Sequence, residues 1–265
     1  MGSGLLDLFV FSSVWVACAA AALALAACPA MGVPLHGGAA GLAFFGTLVI
    51  YNVDRLRDVD RDRATSPERA AFICAHRRAL WLAVGLAAGG SGLLAWRQTP
   101  PVWGLLAAVL VLGLLHRRLK HVPFLKEAYL IAAWLGVVVG VPALASHGAA
   151  GEGWVIGVVG GALGANVIAS NLRAPQNAAG QLGQRAALAT AAAFALGAAV
   201  LAFLGSPSVW PLAAVPLATL ASLLAFRPGE RYGLVVVDGA LLVGALAALA
   251  LSHPLCWAGG AGSAG

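Results

Sequence analysis

Charge is the scarcest property of this chain. Asp, Glu, Lys and Arg make up 10% of its 265 residues, against about 25% in an ordinary soluble domain. That is too little to cover a water-facing surface. Paired cysteines are missing as well. Cys18, Cys28, Cys74 and Cys256 are scattered and none forms a CxxC pair, so neither a disulfide framework nor a zinc site is expected. The apolar runs do not alternate in segments of about 10 residues, which sets aside a β-barrel. No basic face is interleaved with aromatics, so the net charge of +6 does not point to nucleic acid. No Lys or Arg precedes the first apolar run, and Asp7 stands where positive charge would be needed. Leu25-Ala26-Ala27-Cys28 has the form of a lipoprotein cleavage box, but with those flanks the segment reads as a first span.

What is present is apolar. Hydrophobic residues reach 61%, with 34 glycines and a mean hydropathy of +0.89. Roughly 20 apolar residues make one helical crossing of a bilayer. Nine apolar segments can be drawn, at about 6–28, 36–53, 78–96, 101–116, 127–146, 153–171, 186–204, 208–226 and 233–252. The expectation is an all-α membrane protein, one polytopic domain over residues 1–265, with nine transmembrane helices around a central cavity. Abundant Gly and Ala suit close helix packing, since lipid supplies no hydrophobic drive between helices.

The cations test this division. Fifteen of the sixteen Lys and Arg residues fall in the connections after the even-numbered segments, and Arg97 is the exception. The positive-inside bias then places those connections in the cytoplasm, with both termini expected outside. The polar chemistry is expected on the cytoplasmic side.

Four constellations stand out. Tyr51 to Arg63 holds Asp54, Asp58, Asp60 and Asp62 among four arginines. Asp54, Asp58 and Asp62 are spaced i, i+4, i+8. If the entering helix continues, they share one face and drift only about 40° per step. Such a row holds magnesium if an anionic group shares the metal, and is a solvated helix end otherwise. The connection after segment four packs His116, Arg117, Arg118, Lys120, His121 and Lys126 around Pro123. Cations opposite a carboxylate row suit a metal-bridged polyphosphate, although such a loop also serves topology alone. Segment six ends in Asn166, Ser170, Asn171 and Arg173, polar but without an acid. Asp238 lies several residues inside segment nine, where a carboxylate marks either function or a structural pairing.

With these residues in view, the chain resembles the UbiA superfamily of intramembrane prenyltransferases. That family has nine helices and two Asp-rich motifs, after the second and sixth helices. Asp54-Arg55-Leu56-Arg57-Asp58 matches the D-R-x-x-D part of its first motif, while Ile50 and Tyr51 replace the leading Asn-Asp. Residues 116–127 are similar to the family's basic connection after helix four, with Lys120 the best-matched cation. Of the second motif, Asn171-Leu172-Arg173 and Gly180 survive. Asn171 stands in for the first Asp, Ala174 for the second, and Asn177 lies near the third. Every carboxylate of that motif is missing.

The resemblance implies transfer of an isoprenyl group from an isoprenyl diphosphate to an apolar, possibly aromatic, acceptor. Asp54, Asp58 and Asp62 would hold Mg2+, and Asp54, Asp58 and Lys120 would serve catalysis. Arg117, Arg118, Lys120, Asn166, Asn171 and Arg173 would meet the diphosphate. The missing acids support a second expectation, a catalytically degenerate UbiA-like protein that binds lipid or isoprenoid or acts as a scaffold subunit. A transporter is disfavoured because the charge gathers at one face. A CDP-alcohol phosphotransferase is disfavoured because Asp238-Gly239 runs on into Ala240-Leu241-Leu242.

Overall fold

The computed structural model describes residues 4–119, 125–146, 149–172, 183–227 and 229–260, and all the regular structure among them is helical. Twelve α-helices follow in order: α1 (Gly4–Phe11), α2 (Val14–Ala30), α3 (Gly37–Thr65), α4 (Pro67–Ala75), α5 (Arg77–Trp96), α6 (Pro100–Leu119), α7 (Leu125–Leu135), α8 (Val141–Ala145), α9 (Glu152–Ser170), α10 (Gln184–Leu204), α11 (Ala214–Leu224) and α12 (Asp238–Gly260). A π-helical turn, Gly136–Gly140, joins α7 to α8, and a second, Tyr232–Val237, leads into α12.

Among the described residues, five stretches are long and apolar enough to cross a bilayer: Arg77–Trp96, Leu125–Ala145, Glu152–Ser170, Gln184–Leu204 and Tyr232–Ser252. The pair α1–α2, bent by 60°, makes a sixth when taken as one span. This is a multi-pass α-helical membrane protein. The other three expected spans are shorter or mixed. Pro100–Gly113 and Trp210–Leu224 are short apolar helices, and α3 runs on from apolar residues into the Asp row.

The bundle is built around α2 and α9. Helix α2 packs on α3 and α12, and α9 packs on α7, α10 and α11. Ala20, Leu23 and Ala27 of α2 meet Val155, Val158 and Ala162 of α9 and Leu241 and Ala245 of α12 in one buried cluster. Small residues permit the approach. A Cβ on Gly161 would stand 2.7 Å from that of Ala198, and one on Gly244 only 2.6 Å from the Val215 Cα. Helix α5 is peripheral and exposes Leu82, Leu86 and Leu93, as a lipid-facing helix does.

The two ends of the bundle differ. One is bland and aromatic. There Ala150 N–H bonds the Met31 carbonyl, Ser208 Oγ bonds the Ala30 carbonyl, and the Trp154 ring lies against Gly205. Trp96, Trp103, Trp154 and Trp210 are all exposed at helix ends bordering the connections expected outside, the positions of interfacial anchors. The other end carries the ion pairs. Arg231 bridges Asp7 of α1 at 2.8 Å and Glu68 of α4 at 2.6 Å. Those two carboxylates raise the Arg231 pKa further above its ordinary value and keep it charged. Both oxygens of Glu230 accept the first free N–H groups of α4, from Glu68 at 3.2 Å and Arg69 at 3.0 Å.

Helix α1 sits at the charged end, fastened through Asp7, whereas α12 starts at that end and runs toward the 3-10 turn Trp210–Ala213 at the bland one. The first and last described helices therefore reach opposite ends of the bundle. In a cysteine-free background, Leu5→Cys and Ser206→Cys are expected to react with a membrane-impermeant maleimide from opposite faces. Labelling of both from one face would refute this placement. Gly244→Ala is expected to cost about 1–3 kcal/mol, because backbone rather than a side chain blocks the new methyl. Gly85→Ala, which meets nothing within 4 Å, is the matched control in a thermal melt.

Candidate functional site

Helix α3 carries the Asp row without a break, from Gly37 to Thr65. Its rotation is fixed by an apolar stripe. Leu56 is buried with Ile73 of α4 and Leu80 of α5, with Val49, Val53 and Val59 packed against them. Asp54 and Asp58 project away from that stripe, Asp54 exposed and Asp58 half-buried. They stand one turn apart, about 6 Å along the axis. Asp62, the third of the row, is engaged by Arg69, whose Nη2 lies 2.8 Å from its Oδ2. Asp62 is thereby drawn toward α4.

Magnesium is commonly held by one or two carboxylates, with substrate phosphate oxygens and water completing its shell. Asp54 and Asp58 fit that donor set. Among the described residues no three His, Cys, Asp or Glu side chains gather to form an all-protein metal site.

The other face of α3 is polar and buried. Between α1 and α2 the chain breaks at Ser12 and Ser13, and Ser13 takes a left-handed conformation with φ 67°. Such a conformation costs a non-glycine residue on the order of 1–2 kcal/mol. Helix α3 holds it in place. Asn52 Nδ2 donates to the Ser12 carbonyl at 2.9 Å, and Ser13 Oγ donates to Asn52 Oδ1 at 3.1 Å. Arg55 Nη1 donates to Ser13 Oγ at 2.9 Å and to the Phe11 carbonyl at 3.4 Å. The Arg of the D-R-x-x-D match therefore faces the protein interior as a structural pin. Its guanidinium also lies 5.6 Å from the Tyr51 ring centroid. Tyr51 in turn meets Trp134 of α7 edge-on, with centroids 6.4 Å apart.

Opposite α3, Asn166 is buried on α9. Its Nδ2 donates to the Val237 carbonyl at 2.9 Å and to Asp238 Oδ1 at 3.3 Å. Asp238 also acts electrostatically on Tyr51 and Arg55, and Asp54 acts on Tyr51. The structure thus brings Asp54, Tyr51, Asp238 and Asn166 into one region where α3, α7, α9 and α12 converge. Asn171 ends α9. Its Nδ2 donates to the Val167 carbonyl at 2.8 Å, and its Oδ1 accepts from Lys126 Nζ at 3.5 Å.

Lys120 and Arg173 lie outside the described residues, as do the side chains of Arg117 and Arg118 at the end of α6. Sequence reading gave Tyr51 and Trp134 no role at the site, and placed Lys126 in the basic constellation without its partner Asn171. Tyr51 could have been found, since it precedes Asp54 and Asp58 by i+3 and i+7 on the same helix. Comparison with protein-family models, curated proteins and solved structures finds no match for this chain.

Arg55→Met removes the pin while keeping most of the volume. It is expected to destabilise the protein by about 2–4 kcal/mol, because the buried partners lose charged hydrogen bonds. Arg57→Met, at an exposed position one step around the same turn, is expected to leave the thermal midpoint unchanged. Equal midpoints for the two variants would remove Arg55 from this role.

Proposed function

We propose that this protein is an intramembrane prenyltransferase of the UbiA type, with nine crossings and a polar site opening at the charged, cytoplasmic end. One observation carries the reading. An apolar helix delivers two carboxylates, Asp54 and Asp58, one turn apart at the end of a membrane bundle. Two carboxylates on a helix, beside an apolar interior, suit a substrate that is anionic at one end and hydrocarbon at the other. Asp54 and Asp58 would hold Mg2+, and the metal would neutralise the diphosphate of an isoprenyl diphosphate. Lys120, Arg117, Arg118 and Arg173 would neutralise the leaving group. Asn171, with Lys126 beside it, would form the opposite wall. The apolar bundle would shield the allylic cation from water until an apolar acceptor captures it.

A different observation favours a second reading, a catalytically degenerate lipid- or isoprenoid-binding subunit. Both asparagines of the opposite wall have their amides engaged within the protein, Asn166 on Val237 and Asp238, Asn171 on Val167. Neither supplies negative charge for a second metal.

The test is magnesium-dependent binding of a non-hydrolysable geranylgeranyl diphosphate analogue, wild type beside Asp58→Asn. Wild type is expected to bind at least about tenfold more tightly with magnesium, and Asp58→Asn to lose that gain. Binding that ignores both magnesium and Asp58 would sink the enzyme reading and leave the second one.

A further inference from the structure

Helix α5 opens with Arg77 and Arg78, both exposed at the charged end. Neither makes an ion pair among the described residues. The helix contains no acid of its own. The acids of the adjoining helices are turned to other work. Asp60 lies 3.6 Å from Arg63, Asp62 2.8 Å from Arg69 and Glu68 2.6 Å from Arg231. Asp54 and Asp58 project away from the Leu56 stripe on which α5 packs. Two adjacent guanidiniums therefore face outward together.

Below them α5 is apolar and turned to lipid. It packs chiefly on α3, through Leu80 and Val84. On the opposite side Leu82, Leu86 and Leu93 are exposed. Arg78, Gly85, Gly89 and Gly92 fall within about 30° of one line along that side. The three glycines meet nothing within 4 Å. A shallow apolar strip, edged by the leucines, thus runs down the helix from the Arg78 guanidinium. Gly85 and Gly89 lie about 10 and 16 Å along the axis from Arg78, which is about the depth of one leaflet's hydrocarbon. Trp81, also exposed, stands one turn below Arg77 and Arg78, where a bilayer has its headgroup boundary.

The occupant of this face must be anionic at one end and hydrocarbon along the rest. Free phosphate would meet the arginines and leave the strip bare. A phosphatidylcholine would cover the strip, but its ammonium would stand against the two cations. A second copy packed in parallel would bring its own Arg77 and Arg78 to the same level, like charge against like.

We infer that the outward face of α5 binds an anionic phospholipid, its phosphate on Arg77 and Arg78 and an acyl chain along Gly85 and Gly89. The inference does not depend on the proposed function. A lipid seated there braces α5 on α3, and with it the Leu56–Leu80 contact that fixes the rotation of the Asp row.

The experiment uses the full chain in a neutral detergent. It is titrated with palmitoyl-oleoyl phosphatidylglycerol or with phosphatidylcholine of the same chains, and bound lipid is counted by native mass spectrometry. Each arginine near a membrane surface contributes roughly fivefold to anionic lipid binding. Wild type is therefore expected to take its first phosphatidylglycerol at least about tenfold more tightly than phosphatidylcholine. Arg77→Gln/Arg78→Gln is expected to bring that preference below about threefold. Arg185→Gln/Arg227→Gln removes equal charge from exposed positions of α10 and of the connection before α12, and is expected to keep the preference. Phosphatidylglycerol with a diazirine in its acyl chain is expected to attach to α5 in the wild type and not in Arg77→Gln/Arg78→Gln. If the double variant fails to fold, Arg78→Gln alone is expected to lose about fivefold.

Equal affinity of the wild type for the two lipids would overturn the inference. So would a preference that survives in folded Arg77→Gln/Arg78→Gln protein, or attachment of the diazirine to another helix. A preference that falls equally in both double variants would assign it to net charge and remove the site. Displacement of the lipid by an equal concentration of inorganic phosphate would make this a phosphate site and end the lipid assignment.

Discussion

The buried guanidinium of Arg55 is the constraint on which the charged end of the bundle depends. A cation inside an apolar bundle must find acceptors, and the ones it finds are those left open by the break between α1 and α2. The helix end needs donors and Arg55 needs acceptors, so each makes the other tolerable. Three placements follow. Helix α1 turns away from α2 and lies across the charged end, Ser13 is held in its left-handed conformation, and α3 cannot rotate. With α3 fixed, Asp54 and Asp58 on the adjoining turns have a defined direction. The guanidinium face also meets Tyr51, which tethers α3 to α7 through Trp134.

Away from that end, small residues do the work that water does in a soluble core. Lipid gives helices no reason to associate through apolar surface, so contact depends on close approach and dispersion. Gly161 against Ala198 and Gly244 against the Val215 backbone are two of these approaches. The large apolar side chains of α5 and α10 point outward, where a water-soluble protein would be unstable and a bilayer is satisfied. Among the described residues the ion pairs gather at one end. The two pairs of Arg231 are exposed and worth about 1 kcal/mol or less each. Arg231, shared between Asp7 and Glu68, sets the relative orientation of α1, α4 and α12 more than it adds to stability.

The helical content, the apolar segments and the continuation of α3 through the Asp row were legible because each is a local pattern. Hydropathy over a window and a spacing of four both survive without tertiary information. The break at Ser12–Ser13 was not legible, since neither Gly nor Pro marks it and the residues that hold it, Asn52 and Arg55, lie about forty positions away. The first apolar segment therefore reads as one span, and its sequence does not show α1 folded onto the charged end. Asp62 matches its row by spacing, but its pairing with Arg69, which reaches it from beyond the α3–α4 boundary, is not visible in that spacing. Asp238 was visible as an anomaly, but its partner Asn166 is 72 residues earlier. Residue type can suggest such a pair and only the fold can supply it.

The π-helical turn before Asp238 absorbs a residue without rephasing its surroundings. A turn that closes over five residues holds one more than the α-helix on either side of it. Loss of a single residue between Tyr232 and Val237 would let the segment wind as ordinary α-helix and leave the helix before it near its present phase relative to α12. The Arg231 clasp and the Asp238–Asn166 contact would keep their faces, and only the residues within the turn would change theirs. The two contacts are thus insulated from a one-residue change of length between them.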